Sequence, residues 1–323
     1  MKRKIIAIIM LVVGSCFILY PIIGNIINVM RQNAVQAEYN TVVQQLNEDK
    51  KQELKNNADD YNRKLASGEL TINSVDEDNV ENDYDDGSGY NDALSVGNDT
   101  LGIIKIPKID VNLPIYKGTS SEILEKGIGH LRNTSLPVGG KSSHCVLTGH
   151  TGLPSSILFT DISKLEKGDI FYIQYLDEIH AYSVDQIKVV EPTDSSDLVI
   201  FPDKDYITLL TCYPYGINSH RLLVRGERIP YDGKINYDKK GNVRKIIKRE
   251  IISETDDTPQ QTAVNNSIFD DFNNNSVKVS VYGVNMSLPI VVTGSIIIIS
   301  SIGTLIVITI IKSVKSRRKG QEK

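Results

Sequence analysis

Thr208-Leu-Leu-Thr-Cys212-Tyr-Pro-Tyr-Gly-Ile-Asn-Ser-His-Arg221-Leu-Leu-Val224 reads as two short apolar strands joined by a turn of Pro, Gly and Asn. Alternation puts Thr208, Leu210 and Cys212 on one face of the first strand, and Ile207, Leu209 and Thr211 on the other. Cys212 ends its strand just before Pro214 and Gly216 break it, where a side chain reaches a cleft. Arg221 opens the strand that returns. A lone thiol is most often a packing residue, so Cys212 by itself is ambiguous. Beside an arginine it is less so: sulfur attacks a carbonyl carbon while the cation faces the oxygen.

The missing partner is a general acid and base. Val146-Leu-Thr-Gly-His150 supplies a histidine at the end of another short strand. Alternation there groups His144, Val146, Thr148 and His150 and turns Cys145 away, which marks Cys145 for core packing. His130 and His144 read as surface or packing residues, His180 sits at a polar strand start, and His220 projects from the face opposite Arg221. A thiol of ordinary acidity is mostly protonated at neutral pH, and an adjacent imidazolium and guanidinium favour the thiolate. His150 would then protonate a departing amine, and Arg221 would hold the oxyanion with two donors. No Asp or Asn stands out as an orienting third member, and the pattern points to cysteine-dependent acyl transfer.

Eight candidate strands surround this site: residues 101–106, 111–116, 144–148, 170–175, 180–184, 186–190, 207–211 and 222–226. Helical pattern is confined to short pieces, Ser120 to Lys126 and Pro154 to Leu158. Eight short strands over about 130 residues indicate a closed barrel or sandwich with its own core.

The two ends are of another kind. Residues 5–27 and 288–311 are uncharged and almost wholly apolar. Each runs to about two dozen residues, or roughly 35 Å as helix, enough to cross a hydrocarbon core of about 30 Å. Lys2-Arg3-Lys4 precedes the first, and Lys312, Lys315, Arg317, Arg318 and Lys319 follow the second. Positive flanks stay in the cytoplasm, which predicts a two-pass protein of the cell membrane with both termini inside and residues 28–287 outside. A cleaved signal peptide is the competing reading, with Val35-Gln-Ala37 as its site, but the apolar core exceeds the usual length. The flanks carry nine of the 36 Lys/Arg and one of the 40 Asp/Glu, which leaves the outer portion 27 bases against 39 acids, a net charge of −12. Such a surface repels nucleic acid. Cys145 and Cys212 are isolated, without a C-x-x-C, so no metal site is expected, and a bridge between them would consume the nucleophile.

Between the first apolar run and the strands, Val35, Tyr39, Val42 and Leu46 recur at helical steps, which predicts a polar helix over residues 28–66 standing off the membrane. Residues 67–98 are rich in Asp, Asn, Ser and Gly, with seven acids between Asp76 and Asp86. Their order fits no calcium loop, and a flexible acidic segment is the reading. Residues 233–287 return to Lys, Asn, Asp and Ser and read as a tether. The chain thus divides at 1–27, 28–98, 99–232, 233–287, 288–311 and 312–323.

Residues 99–231 resemble the sortases, membrane-anchored cysteine transpeptidases of Gram-positive bacteria, and most closely their pilin-polymerising class C. Three stretches carry the likeness: His130-Leu-Arg-Asn-Thr-Ser-Leu-Pro-Val-Gly-Gly140, Val146-Leu-Thr-Gly-His150-Thr-Gly-Leu-Pro-Ser155, and the run from Thr208 to Gly226. Residues 158–169 and Val184-Asp-Gln-Ile187 also read like that class. The resemblance implies a mainly β fold, an eight-stranded sortase-type β-barrel with short helices, here joined to an extracellular N-terminal helix and two transmembrane helices. It places the nucleophile on Cys212, the acid/base on His150 and the arginine on Arg221, the three residues reached from strand parity. It implies no cofactor. It also implies cleavage of an LPXTG-like sorting signal after its threonine, a thioacyl-enzyme, and transfer to a lysine amine of a pilin. One departure stands out. Class C enzymes cover the site with a lid bearing an Asp-Pro-aromatic motif, and residues 68–98 hold no Asp-Pro, only Asp83-Tyr84 as a loose substitute. Two other functions compete: a sortase that anchors surface proteins to cell-wall peptidoglycan, and a non-catalytic surface binding module.

Overall fold

The computed structural model describes residues 2–69, Tyr90, Val96, 99–153, 156–231, 278–281 and 284–287. The expected calcium-free acidic segment and its Asp83-Tyr84 lid substitute lie outside these residues, as do most of the tether and the second apolar run, 288–311.

The barrel is built from β1 (Thr100–Ile106), β2 (Val111–Lys117), β3 (Ile128–His130), β4 (Ser143–Thr148), β5 (Ile170–Tyr175), β6 (Glu178–Val190), β7 (Asp205–Tyr213) and β8 (His220–Ile229). It closes in the order β1-β2-β3-β4-β7-β8-β6-β5. Closure leaves no edge strand. The pairs β2–β3 and β4–β7 are parallel, and the others are antiparallel. Eight strands were expected and eight are found, but not the same eight. The two runs 180–184 and 186–190 form the single strand β6, because a bulge between Val184 and Gln186 absorbs the break in alternation at Asp185. The strand β3 was not foreseen; its three residues are too few for a period to show. It needs Gly129, where a Cβ would stand 2.4 Å from the Gly118 carbonyl oxygen.

Of the two short helices expected, one forms. In α3 (Ser121–Lys126) the Ser120 hydroxyl caps the Ile123 N–H at 3.4 Å. The other, over Pro154 to Leu158, does not, since Ser156, Ile157 and Leu158 run as an irregular turn.

The N-terminal part corrects a second expectation. One standing helix was predicted for residues 28–66; there are two, α1 (Lys2–Gln45) and α2 (Glu48–Ser67), and both dock on the barrel. The break falls at Asn47, whose side chain caps α2 by accepting from the Lys50 N–H at 2.8 Å. Gly68, at φ 77°, ends it. Tyr39 and Val43 of α1 and Leu54, Ala58, Tyr61 and Leu65 of α2 join the barrel core. Each large apolar side chain so buried is worth about 1.5–3 kcal/mol. This cover is why Ile103 and Ile104, on opposite faces of β1, are both fully buried. Asn62 imitates a strand partner: its side chain accepts from the Leu136 N–H at 2.7 Å and donates to the Leu136 carbonyl at 3.2 Å. Lys51 and Lys55 reach Asp177 and Glu178 in the β5–β6 turn.

The first apolar run, 5–27, is helical as part of α1. Among the described residues no helix is long and apolar enough to cross a membrane. Within the expected tether, β9 (Lys278–Val281) and β10 (Val284–Ser287) pair antiparallel as a separate hairpin.

Candidate active site

Two of the three residues singled out from parity face each other across adjacent strands, and the third follows the end of the neighbouring strand. Cys212 stands directly opposite Arg221 in the β7–β8 ladder. Side chains of such a pair share a face, with Cβ atoms about 5 Å apart. In the β4–β7 ladder Thr148 is level with Leu210. His150 follows two residues on, just past the end of the ladder. The chain holds that register past the end of β4: the Gly149 N–H donates to the Leu210 carbonyl at 3.1 Å, and the Thr211 hydroxyl donates to the Gly149 carbonyl at 2.6 Å. The hydroxyls of Thr151 and Thr211 also meet, at 2.6 Å.

Thr211 was not singled out from the sequence. It points inward, 3 % exposed, from the opposite face to Cys212, and its sole signal was a hydroxyl at an otherwise apolar position. Ile207 and Leu209 share that inner face and are buried, while Leu210 and Cys212 are half-buried on the outer one. The site therefore lies on the outside of the barrel wall, at its rim.

The loop after His150 folds back on itself. The Phe159 N–H donates to the His150 carbonyl at 3.2 Å, and the Gly152 N–H to the Thr160 hydroxyl at 3.1 Å. Gly152 adopts φ +83°, and a Cβ there would come 3.1 Å from the Tyr215 ring. Tyr215 belongs to the tight turn between β7 and β8, closed by N–H groups of Ile217 and Asn218 donating to the Pro214 carbonyl at 3.1 and 2.9 Å. The two loops that carry His150 and flank Cys212 thus touch.

His150 is half-buried. Burial holds its pKa below the ordinary imidazole value, and the Glu125 carboxylate on α3 pushes it back up. No described residue hydrogen-bonds to either ring nitrogen. Cys212 and Cys145 are both free thiols. Cys145 packs in the core, as alternation predicted, and burial drives its pKa well above the usual thiol value. The Arg221 guanidinium donates through one Nη to the His220 carbonyl at 3.3 Å. His220 itself pairs with Glu191 at 3.2 Å and with the Ser219 hydroxyl at 2.8 Å. Arg225, two strand-face repeats from Arg221, is committed elsewhere: it grips Asp185 at 2.6 and 3.1 Å and lies over the Tyr206 ring at 4.1 Å.

The remaining histidines are structural. His130 and His144, expected at the surface or in packing, are completely buried and packed. His144 bonds the Val199 carbonyl and the Thr208 hydroxyl, each at 2.7 Å.

Comparison with known proteins identifies the family. A family model for the sortase domain matches residues 104–229. Sortase D of Bacillus subtilis is 33 % identical over 131 residues, which cover 40 % of this chain and 63 % of that protein. Sortase A of Listeria monocytogenes is 32 % identical over 229 residues, covering 70 % of this chain and 91 % of that one. Among solved structures, sortase C-1 of Streptococcus pneumoniae is 44 % identical with a TM-score of 0.56, over 61 % of this chain and 99 % of the other. Sortase C of Clostridium perfringens, solved with the C-terminal cell wall sorting motif, is 45 % identical with a TM-score of 0.52, again over 61 % and 99 %. The chain belongs to the sortase family of cysteine transpeptidases, and to its class C.

Proposed function

We propose that this sortase assembles pili, with Cys212, His150 and Arg221 as its catalytic residues. Its substrate is a pilin or surface protein with an LPXTG-like sorting signal. The Cys212 thiolate attacks the threonine carbonyl carbon, and the new oxyanion is met by the Arg221 guanidinium. The peptide C–N bond breaks as His150 gives its proton to the departing glycine amine, leaving a thioester on Cys212. A pilin lysine amine then attacks the thioester, His150 takes back a proton, and Cys212 leaves as thiolate. The single observation that supports this reading is Cys212 directly opposite Arg221, with Gly149, the residue before His150, bonded to Leu210 and Thr211 of the cysteine's strand. The sorting motif bound to the Clostridium relative supports the substrate class.

The enzyme is held at the cell membrane by residues 5–27 and 288–311, with the barrel outside and both termini in the cytoplasm. The uncharged length of both runs and their basic flanks support this topology.

Incubating the chain with a sorting-signal peptide and a series of amines, and weighing the products, tests the reaction. A pilin lysine peptide should capture the acyl group, and Cys212→Ala should give neither product nor a covalent adduct. If cell-wall stem peptide is the preferred amine, the enzyme anchors proteins instead of polymerising them. If Cys212→Ala retains turnover, the catalytic assignment falls.

A further inference from the structure

The helix α1 meets the barrel through a face that hydropathy would assign to water. Gln32 and Gln36, with Tyr39, Asn40 and Val43, form its buried stripe. An amide taken out of water costs free energy unless it is hydrogen-bonded. Each glutamine answers that cost differently. Gln36 donates to the Asn112 carbonyl at 3.1 Å, at the start of β2, remote in the sheet order from β7 and β8. Gln32, 5 % exposed, donates to the Lys126 carbonyl at 3.2 Å and to the Ser156 hydroxyl at 3.4 Å.

Both acceptors belong to segments that bear on His150. Lys126 ends α3, the helix whose Glu125 carboxylate acts on the imidazole. Ser156 belongs to the loop that begins at His150; its N–H donates to the Leu153 carbonyl at 3.3 Å, and the loop closes through the Phe159 N–H on the His150 carbonyl. Gln32 is thus a single side chain bridging that helix and the His150 loop. Thr211 and Tyr215 secure the start of that loop; Gln32 secures its far limb. A fully satisfied buried polar bridge rigidifies what it joins.

We infer that Gln32 is a positioning residue for the transpeptidation: through Ser156 it holds the His150 loop against the end of α3, so that the imidazole keeps its position. This rests on the catalytic role proposed for His150. A small displacement of an acid/base group costs rate more than it costs substrate affinity.

The test uses the 323-residue chain in detergent, with sorting-signal peptide and lysine acceptor, and compares Gln32→Met, Gln36→Met, Ser156→Ala and His150→Ala. Methionine keeps the volume of glutamine and removes its donors. Gln32→Met and Ser156→Ala should each lower kcat roughly tenfold, with KM for the peptide within about twofold. Their combination should cost no more than either alone, because both remove one bridge. Gln36→Met, which also removes a helix–barrel bond, should leave kcat within about twofold. Equal losses in the Gln32 and Gln36 variants, or none in either while His150→Ala is inactive, would reduce Gln32 to a docking residue and overturn the inference. Full turnover in His150→Ala would instead overturn the catalytic reading beneath it. Thermal midpoints accompany each measurement; if Gln32→Met does not fold, Ser156→Ala, which loses a hydroxyl only, decides.

Discussion

At His130 the ring is fully buried and both nitrogens are engaged: Nε2–H donates to the Ser135 carbonyl at 2.9 Å, and Nδ1 accepts from the Tyr90 hydroxyl at 2.8 Å. Tyr90 in turn accepts from the Gly118 N–H at 3.3 Å, stacks on the imidazole, and lies under Arg132. At His150 the ring is half-buried, the backbone carbonyl is tied down by the Phe159 N–H, and no described residue hydrogen-bonds to either ring nitrogen. One barrel therefore holds two histidines treated in opposite ways. Where every donor and acceptor is paired, the residue secures the fold. Where the main chain is fixed and the ring nitrogens are left open, the residue can exchange protons. The two arginines of β8 differ in their partners: Arg225 is gripped by the Asp185 carboxylate, while Arg221 stands opposite Cys212 with one Nη on the His220 carbonyl.

The arginines give the largest expected separation. Arg221→Lys should lower kcat/KM by about a hundredfold or more, because one ammonium cannot reproduce a planar two-donor fork. Arg225→Lys should do the reverse, leaving turnover within a few-fold while costing about 1–2 kcal/mol of stability through the weakened grip on Asp185. Turnover assays and chemical denaturation on both variants check this; a fast Arg221→Lys enzyme would erase the distinction.

The histidines separate through pH. Burial pushes the folded-state pKa of His130 down to about 4 from an ordinary 6.5. The unfolded chain therefore takes the proton first. Stability is complete above pH 6.5 and falls as pH drops toward 4, by at most about 3 kcal/mol from this one group. In His130→Gln that stretch of the stability–pH curve should flatten. An unchanged slope would mean that carboxylates govern it.

Tyr90→Phe is the next smaller cut. It strips the hydroxyl that serves both His130 and Gly118, leaving a buried acceptor and a half-buried N–H without that partner. The cost should be about 1–3 kcal/mol by denaturation, with kcat unchanged. A fall in kcat would place this cluster in the mechanism.

How far the chain announces all this depends on how local the cause is. The rim was legible because strand parity, a Pro/Gly turn and an arginine at the next strand start are written within 17 contiguous residues, Thr208 to Val224. The buried face of α1 was not. The apolar steps Val35, Tyr39, Val42 and Leu46 were read as a polar helix standing off the membrane, but the helix docks on the barrel; of the four only Tyr39 is fully buried, and two glutamines take inner positions by bonding to the barrel. Periodicity counts a glutamine as wet; it cannot see the carbonyl waiting for it. Tyr90 was hidden in the same way, one aromatic in an acidic stretch, with partners 28 and 40 residues further on. The strand β6 was split in reading because Asp185 breaks its alternation, and Asp185 is there to hold Arg225.

The smallest effect probes the open histidine most directly. Burial lowers the His150 pKa, and the carboxylate of Glu125 opposes it by favouring the imidazolium. Glu125→Gln removes that opposition, so the His150 titration followed by NMR should move to lower pH. At neutral pH less imidazolium would then remain to protonate the leaving amine, and kcat should fall by about twofold, the scale of one solvent-screened surface charge. Added salt should reproduce the shift in the wild type and do little in the variant, because screening and deletion remove the same interaction. His130 should titrate alike in both, since its ring answers to burial and to Ser135 and has no carboxylate among its causes. If instead the two rings move together, the open and the closed histidine share one electrostatic environment, and the contrast between them lies in hydrogen bonding alone.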